Sequence, residues 1–143
     1  MTLSIPYGGF LAVKGDMNHA ELQRTLNQGE PVESVYIEDS DLTLVAWTQF
    51  PGQGLWSSDQ GAVVFDLQLT NTFELAALVD MPGESSASGK LLFSLYRKFG
   101  KNFCDHLRGA FAFALWDAEI QELFVVTDCY GIRPVVFTQR NNL

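Results

Sequence analysis

The sequence has few of the side chains on which most enzymes and metalloproteins depend. It contains two cysteines and two histidines in 143 residues. Cys104 and Cys129 are too few and too widely spaced for a disulfide framework or a CxxC metal site, and we expect both to be reduced and mostly buried. Neither His19 nor His106 has a second ligand at helical or hairpin spacing. The sequence therefore predicts no metal and no cofactor, and it offers little for general-base chemistry near neutral pH.

Basic residues and long apolar runs are also scarce. Nine Lys and Arg stand against 17 Asp and Glu, which gives a net charge of −8. An acidic surface of this kind repels phosphate backbones and anionic lipid head groups, so we expect neither a nucleic-acid nor a membrane partner. No apolar run approaches the roughly 20 residues that span a bilayer, and the N-terminus lacks the pattern of a signal peptide. We therefore expect a cytoplasmic protein.

The hydrophobic content is high enough for one folded domain. Hydrophobic residues make up 47% of the chain, and its length favours a single domain over residues 1–143. Short apolar or β-branched runs predict strands at residues 9–13, 35–37, 42–47, 62–69, 109–116, 123–127 and 135–137. Large and small side chains alternate from Gly109 to Trp116, so the Phe face and the Ala face of that strand should meet different layers.

Helices and loops complete the predicted pattern. Asn18 and Asn71 are each followed three residues later by Glu, which predicts an N-cap and a helix at both places. A third helix is predicted over residues 91–99, followed by a short helical turn near Phe103. Loops are predicted at residues 49–61 and 80–89, which are rich in Gly, Gln, Ser or Pro. The pattern predicts an α+β fold with two packed sheets flanked by helices.

Three segments of the second half carry a resemblance to a known family. They are residues 91–100 (LLFSLYRKFG), 107–117 (LRGAFAFALWD) and 128–134 (DCYGIRP). In this order they strongly resemble the class II glutamine amidotransferase domain of the asparagine synthetase family. Residues 64–71 (VFDLQLTN) resemble, more weakly, the family's strand into asparagine-glycine-glutamate. The resemblance covers most of the chain from Gly9 onwards.

The resemblance implies both a fold and a chemistry. The fold is that of the N-terminal nucleophile hydrolases, a four-layer αββα sandwich, shortened here at its C-terminal end because family domains continue for further strands. In active members a cysteine exposed as residue one attacks the glutamine side-chain amide, and its α-amine serves as base. An asparagine and a glycine form the oxyanion hole. An arginine from a histidine-arginine-glycine motif and an aspartate hold the two ends of the substrate, and the aspartate binds its amine.

The matching positions of this sequence have lost these groups. Ile5 stands near the place of the nucleophile, Asp66 and Leu67 stand at the oxyanion asparagine and glycine, and Ser88 stands at the substrate-binding aspartate. No histidine-arginine-glycine motif occurs between residues 34 and 56. A carboxylate at the oxyanion position would repel the developing negative charge. The resemblance therefore implies a catalytically inactive, amidotransferase-like domain with a structural, scaffold or partner-binding role.

Two other functions stay open at this stage. Removal of Met1 would expose Thr2 as an N-terminal nucleophile of a small glutamine amidohydrolase. Thr2 lies three residues before Ile5, about 10 Å along an extended chain, which weighs against this hypothesis. The third hypothesis is a module that senses a small molecule such as an amino acid.

The resemblance also suggests the kind of partner. Family members without the cysteine include β-lactam synthetase and the lasso-peptide cyclases, in which the domain is fused to an ATP-dependent synthetase that forms amides. This sequence has no Ser-Gly-Gly-x-Asp-Ser pyrophosphate motif, so we expect a synthetase domain or protein as partner, or self-association. Asp128 and Arg133 flank a glycine turn, where an ion pair or a capping role is the expected function.

Overall fold

Two antiparallel sheets form the framework of the chain. The computed structural model describes residues 9–15, 32–37, 41–47, 50–81, 83 and 88–137. The first sheet has the order β1-β3-β2 and consists of β1 (Gly9–Lys14), β2 (Val32–Ile37) and β3 (Leu42–Trp47). The second has the order β4-β5-β6-β7 and consists of β4 (Gln53–Ser58), β5 (Gly61–Leu69), β6 (Gly109–Asp117) and β7 (Glu122–Thr127). The predicted strands from β1 to β7, apart from β4, are confirmed.

The described helices lie between β5 and β6 in the chain. Helix α1 (Thr72–Leu78) is followed by α2 (Gly89–Phe99), which leads into a 3₁₀ segment over Gly100–His106. Apolar residues recur at helical spacing along α2, and its buried face includes Leu91, Leu92 and Leu95. In the part of the chain that the structure describes, no helix is long and apolar enough to cross a membrane.

The alternation of large and small residues along β6 separates two cores. Phe111, Phe113 and Leu115 pack with the helices on one face of the four-stranded sheet. Ala114 and Trp116 lie on the other face, against residues of the three-stranded sheet. The prediction that the two faces of this strand meet different layers is therefore confirmed.

The described layers are helices, four-stranded sheet and three-stranded sheet. This arrangement confirms the α+β class, because apolar residues on both faces of the central sheet are covered. The helix predicted from Asn18, which would supply a layer outside the three-stranded sheet, lies outside the described residues.

Two predicted elements are wrong. The segment 49–61, predicted as a loop, contains β4, which pairs with β5 along its whole length. Its Gly, Gln and Ser residues give no strand signal, so the pairing with β5 rather than its own composition makes it a strand. The strand predicted at residues 135–137 is also absent: Val136 and Phe137 are 96% and 82% exposed and follow Pro134, which has no N–H to donate.

Two smaller expectations also need correction. Asn71 precedes α1, but its side chain does not cap that helix. Instead it accepts a hydrogen bond from the backbone N–H of Arg108 (3.1 Å) and donates one to the carbonyl of His106 (2.9 Å). Cys129 is exposed rather than buried, while Cys104 is half-buried and burial raises the pKa of its thiol to about 11. Asn71 therefore ties the start of α1 to the start of β6.

Candidate functional site

The position matched to the oxyanion asparagine lies on the inner face of β5. Side chains of a strand alternate between its two faces, so Asp66 and Gln68 share the face of Ala62 and Val64. Ala62 and Val64 are buried between the two sheets. Towards the C-terminal end of β5 the same face therefore changes from apolar to polar, and this polar end is the candidate site.

Asp66 is held by two side chains from other elements. Gln53, its partner in the β4–β5 ladder, donates from Nε2 to Asp66 Oδ2 at 3.1 Å. Arg133 Nε forms an ion pair with Asp66 Oδ1 at 3.4 Å. The side chain of Asp66 is only 15% exposed. Both carboxylate oxygens are thus engaged, Oδ2 by Gln53 from β4 and Oδ1 by Arg133 from the segment 128–134.

Arg133 reaches Asp66 from two strands away. It follows β7, and β6 lies between β7 and β5 at a spacing of about 4.8 Å per strand. The β6 residues opposite Asp66 and Gln68 are Ala112 and Ala110. Small residues at these two positions leave room on the inner face for the side chain to extend across β6. The alanine face of β6 therefore serves the site as well as the packing of the sheets.

Asp128 fixes the turn that carries Arg133. It accepts backbone hydrogen bonds from Phe111 (3.3 Å), Tyr130 (3.1 Å), Ile132 (3.0 Å) and Arg133 (3.1 Å). Burial of this carboxylate, which is 3% exposed, opposes its charged form, but these N–H groups outweigh that effect and lower its pKa. The expected capping role of Asp128 is confirmed, and the ion-pair partner of Arg133 is Asp66.

The backbone N–H of Leu67, which the resemblance matches to the oxyanion glycine, is already engaged. It donates to the carbonyl of Gly52 at 2.7 Å. Gly52 has φ +95°, and a Cβ there would lie 2.1 Å from the carbonyl oxygen of Leu67. The loop before β4 can approach this closely only because residue 52 is glycine. The side chain of Leu67 points to the helical side and is 4% exposed.

Ser88 has a local structural role. It is the N-cap of α2, and its hydroxyl accepts a hydrogen bond from the N–H of Leu91 at 3.2 Å. The helix packs on the face of the four-stranded sheet opposite Asp66. Of the described positions that the resemblance predicts, Asp66 and Leu67 are chain neighbours with side chains on opposite faces of β5, and the structure does not bring Ser88 to the face of Asp66. Ile5 and Thr2 lie outside the described residues.

Sequence reasoning missed one member of the site and the ion-pair partner of another. Gln53 lies in a segment predicted as a loop, so no pairing with Asp66 could be inferred. Arg133 was noted, but its contact with Asp66 spans 67 positions of the chain and has no local signal. Within the ranges that the structure describes, no group of three or more His, Cys, Asp and Glu could hold a metal ion.

Comparisons with known proteins give one family model and two kinds of relative. A family model described as a glutamine amidotransferase domain matches residues 48–143. The chain is 42% identical over 53 residues to the amidase chry2 of Gibberella zeae, an alignment that covers 37% of this chain and 8% of that protein. It is 28% identical over 90 residues to the glutamine-hydrolyzing asparagine synthetase 3 of Bacillus subtilis, covering 61% of this chain and 15% of that protein. A putative glutamine-hydrolyzing asparagine synthetase of Mycobacterium tuberculosis is 36% identical over 81 residues. That alignment covers 54% of this chain and 12% of that protein. The matched part thus spans only a small fraction of each relative's length.

Proposed function

Because the chain belongs to the glutamine amidotransferase domain family and is asparagine-synthetase-like, we propose that it is a member without glutaminase activity. Its role in this proposal is to serve as a folded scaffold or partner domain in ATP-dependent amide formation. The observation that carries the proposal is the state of the two oxyanion positions, Asp66 and Leu67.

Neither oxyanion position offers a donor. Amide hydrolysis needs hydrogen-bond donors aimed at the oxygen that becomes negative, and losing one such donor lowers kcat by about 10²–10³. Asp66 is a carboxylate that is itself bound by Gln53 and Arg133. The N–H of Leu67 is used by Gly52. Both missing donors would have bound the same negative oxygen, so the intermediate formed by attack of a nearby nucleophile would not be stabilised.

The remaining positions support the same proposal. Ser88 replaces an aspartate, and its hydroxyl caps α2 instead of binding an amine. Ile5 has no group that can attack a carbonyl carbon. For the chain as a whole we propose a single domain over residues 1–143 with the αββα architecture. The three described layers fit that architecture, and the helix predicted from Asn18 would be the fourth.

A group of exposed apolar side chains supports the partner-binding part of the proposal. They lie within eight positions of one another in the sequence, and their exposed fractions are 86% for Tyr130, 59% for Ile132, 96% for Val136 and 82% for Phe137. Large apolar side chains concentrated in one segment are typical of surfaces that a partner covers. We propose that a synthetase domain is that partner.

The test is ammonia release from glutamine by the purified protein. We expect no release above the buffer rate, under conditions in which a glutamine-hydrolysing asparagine synthetase assayed in parallel is active. The Thr2→Ala variant is the matched control, and it should be indistinguishable from the wild type. Glutamine-dependent ammonia release that Thr2→Ala abolishes would overturn the proposal.

The amidase relatives favour a second candidate, an amide hydrolase with Thr2 as nucleophile. This candidate needs a free α-amine on Thr2, since that amine is the base. Mass spectrometry of the intact protein shows whether Met1 has been removed. Retention of Met1 excludes the candidate, and removal of Met1 followed by an inactive ammonia assay leaves the scaffold proposal standing.

A further inference from the structure

We propose that the Arg133 guanidinium anchors a small carboxylate ligand at the polar end of the space between the sheets. This inference goes beyond the absence of glutaminase chemistry. It concerns binding, which is measured separately from ammonia release, so either proposal can fail without the other.

The inner edge of the Arg133 guanidinium faces the protein. Its Nε atom is fully buried and makes no hydrogen bond within the described part of the chain, although it lies 3.4 Å from Asp66 Oδ1 as an ion pair. Asp66 therefore holds this edge by charge. This contact leaves the two terminal nitrogens, Nη1 and Nη2, for other partners.

The outer edge of the guanidinium has donors to spare. Arginine carries five N–H donors in a planar fork. Nη2 makes one long hydrogen bond, 3.4 Å to Gln68 Oε1, and Nη1 makes none with the residues that the structure describes. The side chain is 36% exposed, so a solute can reach this edge. Arg133 thus combines a fixed orientation with unused donors.

The backbone that carries Arg133 is also fixed. Its N–H donates to Asp128 Oδ2 at 3.1 Å, and its carbonyl accepts a hydrogen bond from Thr127 Oγ1 at 2.7 Å. Two hydrogen bonds on the backbone and an ion pair on the side chain reduce the freedom that binding would remove. Such preorganisation raises affinity because less entropy is lost on binding.

A carboxylate fits this edge better than other anions. Its two oxygens match the guanidinium fork in a planar bidentate pair. Asp66 and Asp128 lie close to Arg133, and their negative charges disfavour a group such as phosphate, which concentrates more than one charge on a single centre. A carboxylate carries only a single charge and can still accept hydrogen bonds from both terminal nitrogens. The side-chain amide of Gln68 can contact the rest of the ligand.

Calorimetric titration with succinate tests this inference. Succinate is added at constant ionic strength against a sodium chloride reference, and we expect saturable binding in the millimolar range for the wild-type protein. Arg133→Gln should weaken binding at least tenfold. Arg133→Lys keeps the charge but loses the planar fork, so it should also bind more weakly than the wild type.

The matched control is Arg97→Gln. Arg97 is similarly exposed, at 42%, and pairs with Glu119 at 2.9 Å, but it lies on α2. This variant should bind succinate as the wild type does. Circular dichroism establishes whether each variant is folded. If Arg133→Gln does not fold, Arg133→Lys provides the test. Absence of saturable binding, equal binding by the Arg133 variants, or equal competition by chloride would overturn the inference.

Discussion

At the scale of single residues, Asp128 organises the turn on which Arg133 depends. Its carboxylate accepts hydrogen bonds from the backbone of Ile132, Arg133, Phe111 and Tyr130, and Phe111 belongs to β6 rather than to the turn. The group therefore joins the turn to the central sheet. Burial opposes its ionisation, but the four N–H donors lower its pKa below the ordinary value.

We predict that Asp128→Asn lowers the melting temperature at neutral pH. The NH₂ group of the asparagine amide would face backbone N–H groups whose hydrogen bonds the carboxylate now accepts, so two donors would oppose each other. A carboxyl group with a lowered pKa in the folded state contributes stability above its unfolded pKa, about 3.9, and loses it as pH falls through the folded pKa. The difference from wild type should therefore shrink below about pH 4.

Thermal unfolding followed by circular dichroism from neutral to acidic pH measures this effect. Asp105→Asn removes an exposed carboxylate, and it should leave the melting temperature nearly unchanged at every pH. If the melting temperature of Asp128→Asn stays below that of the wild type by the same amount across the acid range, the charge of Asp128 does not have the assigned role.

At the scale of elements, Asp117 joins α2 to the hairpin between β6 and β7. The hydroxyl of Tyr96 on α2 donates to Asp117 Oδ2 at 2.7 Å. The other carboxylate oxygen accepts from the backbone N–H groups of Glu119 (2.9 Å) and Ile120 (3.4 Å) in the turn. Asp117 is 3% exposed. The loss of any of these donors leaves a buried carboxylate less well satisfied.

We predict that Tyr96→Phe destabilises the protein by about 1–3 kcal/mol, because the buried carboxylate of Asp117 loses a donor. Burial, followed by the hydrogen bond and the charge of Asp117, raises the pKa of Tyr96 to about 12. Stability from the neutral phenol is complete below the unfolded pKa, about 10, and is lost as pH rises through the folded value. The variant should therefore lack part of the alkaline destabilisation of the wild type.

Urea denaturation at pH 7 and at several values above pH 10 measures both effects. Tyr130→Phe provides the control, since Tyr130 is 86% exposed. We expect its denaturation midpoint to follow the wild type. An unchanged midpoint for Tyr96→Phe at pH 7 would rule out a stabilising role for the hydroxyl.

The elements that could be predicted from sequence are those with a strong internal pattern. The alternation of β6 and the helical spacing of α2 are properties of their own residues, so both were predicted. The strand β4 depends on its pairing with β5, and Gly54 packs against the ring of Phe65 rather than contributing a side chain. Asn71 has an N-cap pattern, but a long-range partner at Arg108 takes its side chain.

The candidate site likewise combines features with a local sequence pattern and contacts between distant segments. The resemblance assigns Asp66, Leu67 and Ser88 to motif positions from the pattern within single segments. The contacts that explain them join separate segments: Asp66 with Arg133, and Leu67 with Gly52. Such contacts depend on sheet order and register, which local sequence patterns do not specify.

At the scale of the whole molecule, small residues let the two sheets pack closely. Ala46 from β3, Ala62 from β5 and Ala114 from β6 are each fully buried between the sheets. The opposite face of the four-stranded sheet carries large residues such as Phe113 and is covered by helices. The two faces of the four-stranded sheet therefore differ in side-chain size, and Asp66 lies at the polar end of the face that carries these alanines.

We predict that Ala114→Leu destabilises the protein by about 1–3 kcal/mol, because the added atoms must enter a fully packed space between the sheets. Val125 is the partner of Ala114 in the β6–β7 ladder and lies on the same face, but it is 47% exposed. Val125→Leu should therefore change stability by no more than about 0.5 kcal/mol. The denaturation midpoint in urea, compared at equal m-values, measures both changes. A midpoint for Ala114→Leu at or above that of Val125→Leu would mean that the sheets separate without cost, and that the alanine face does not set their spacing.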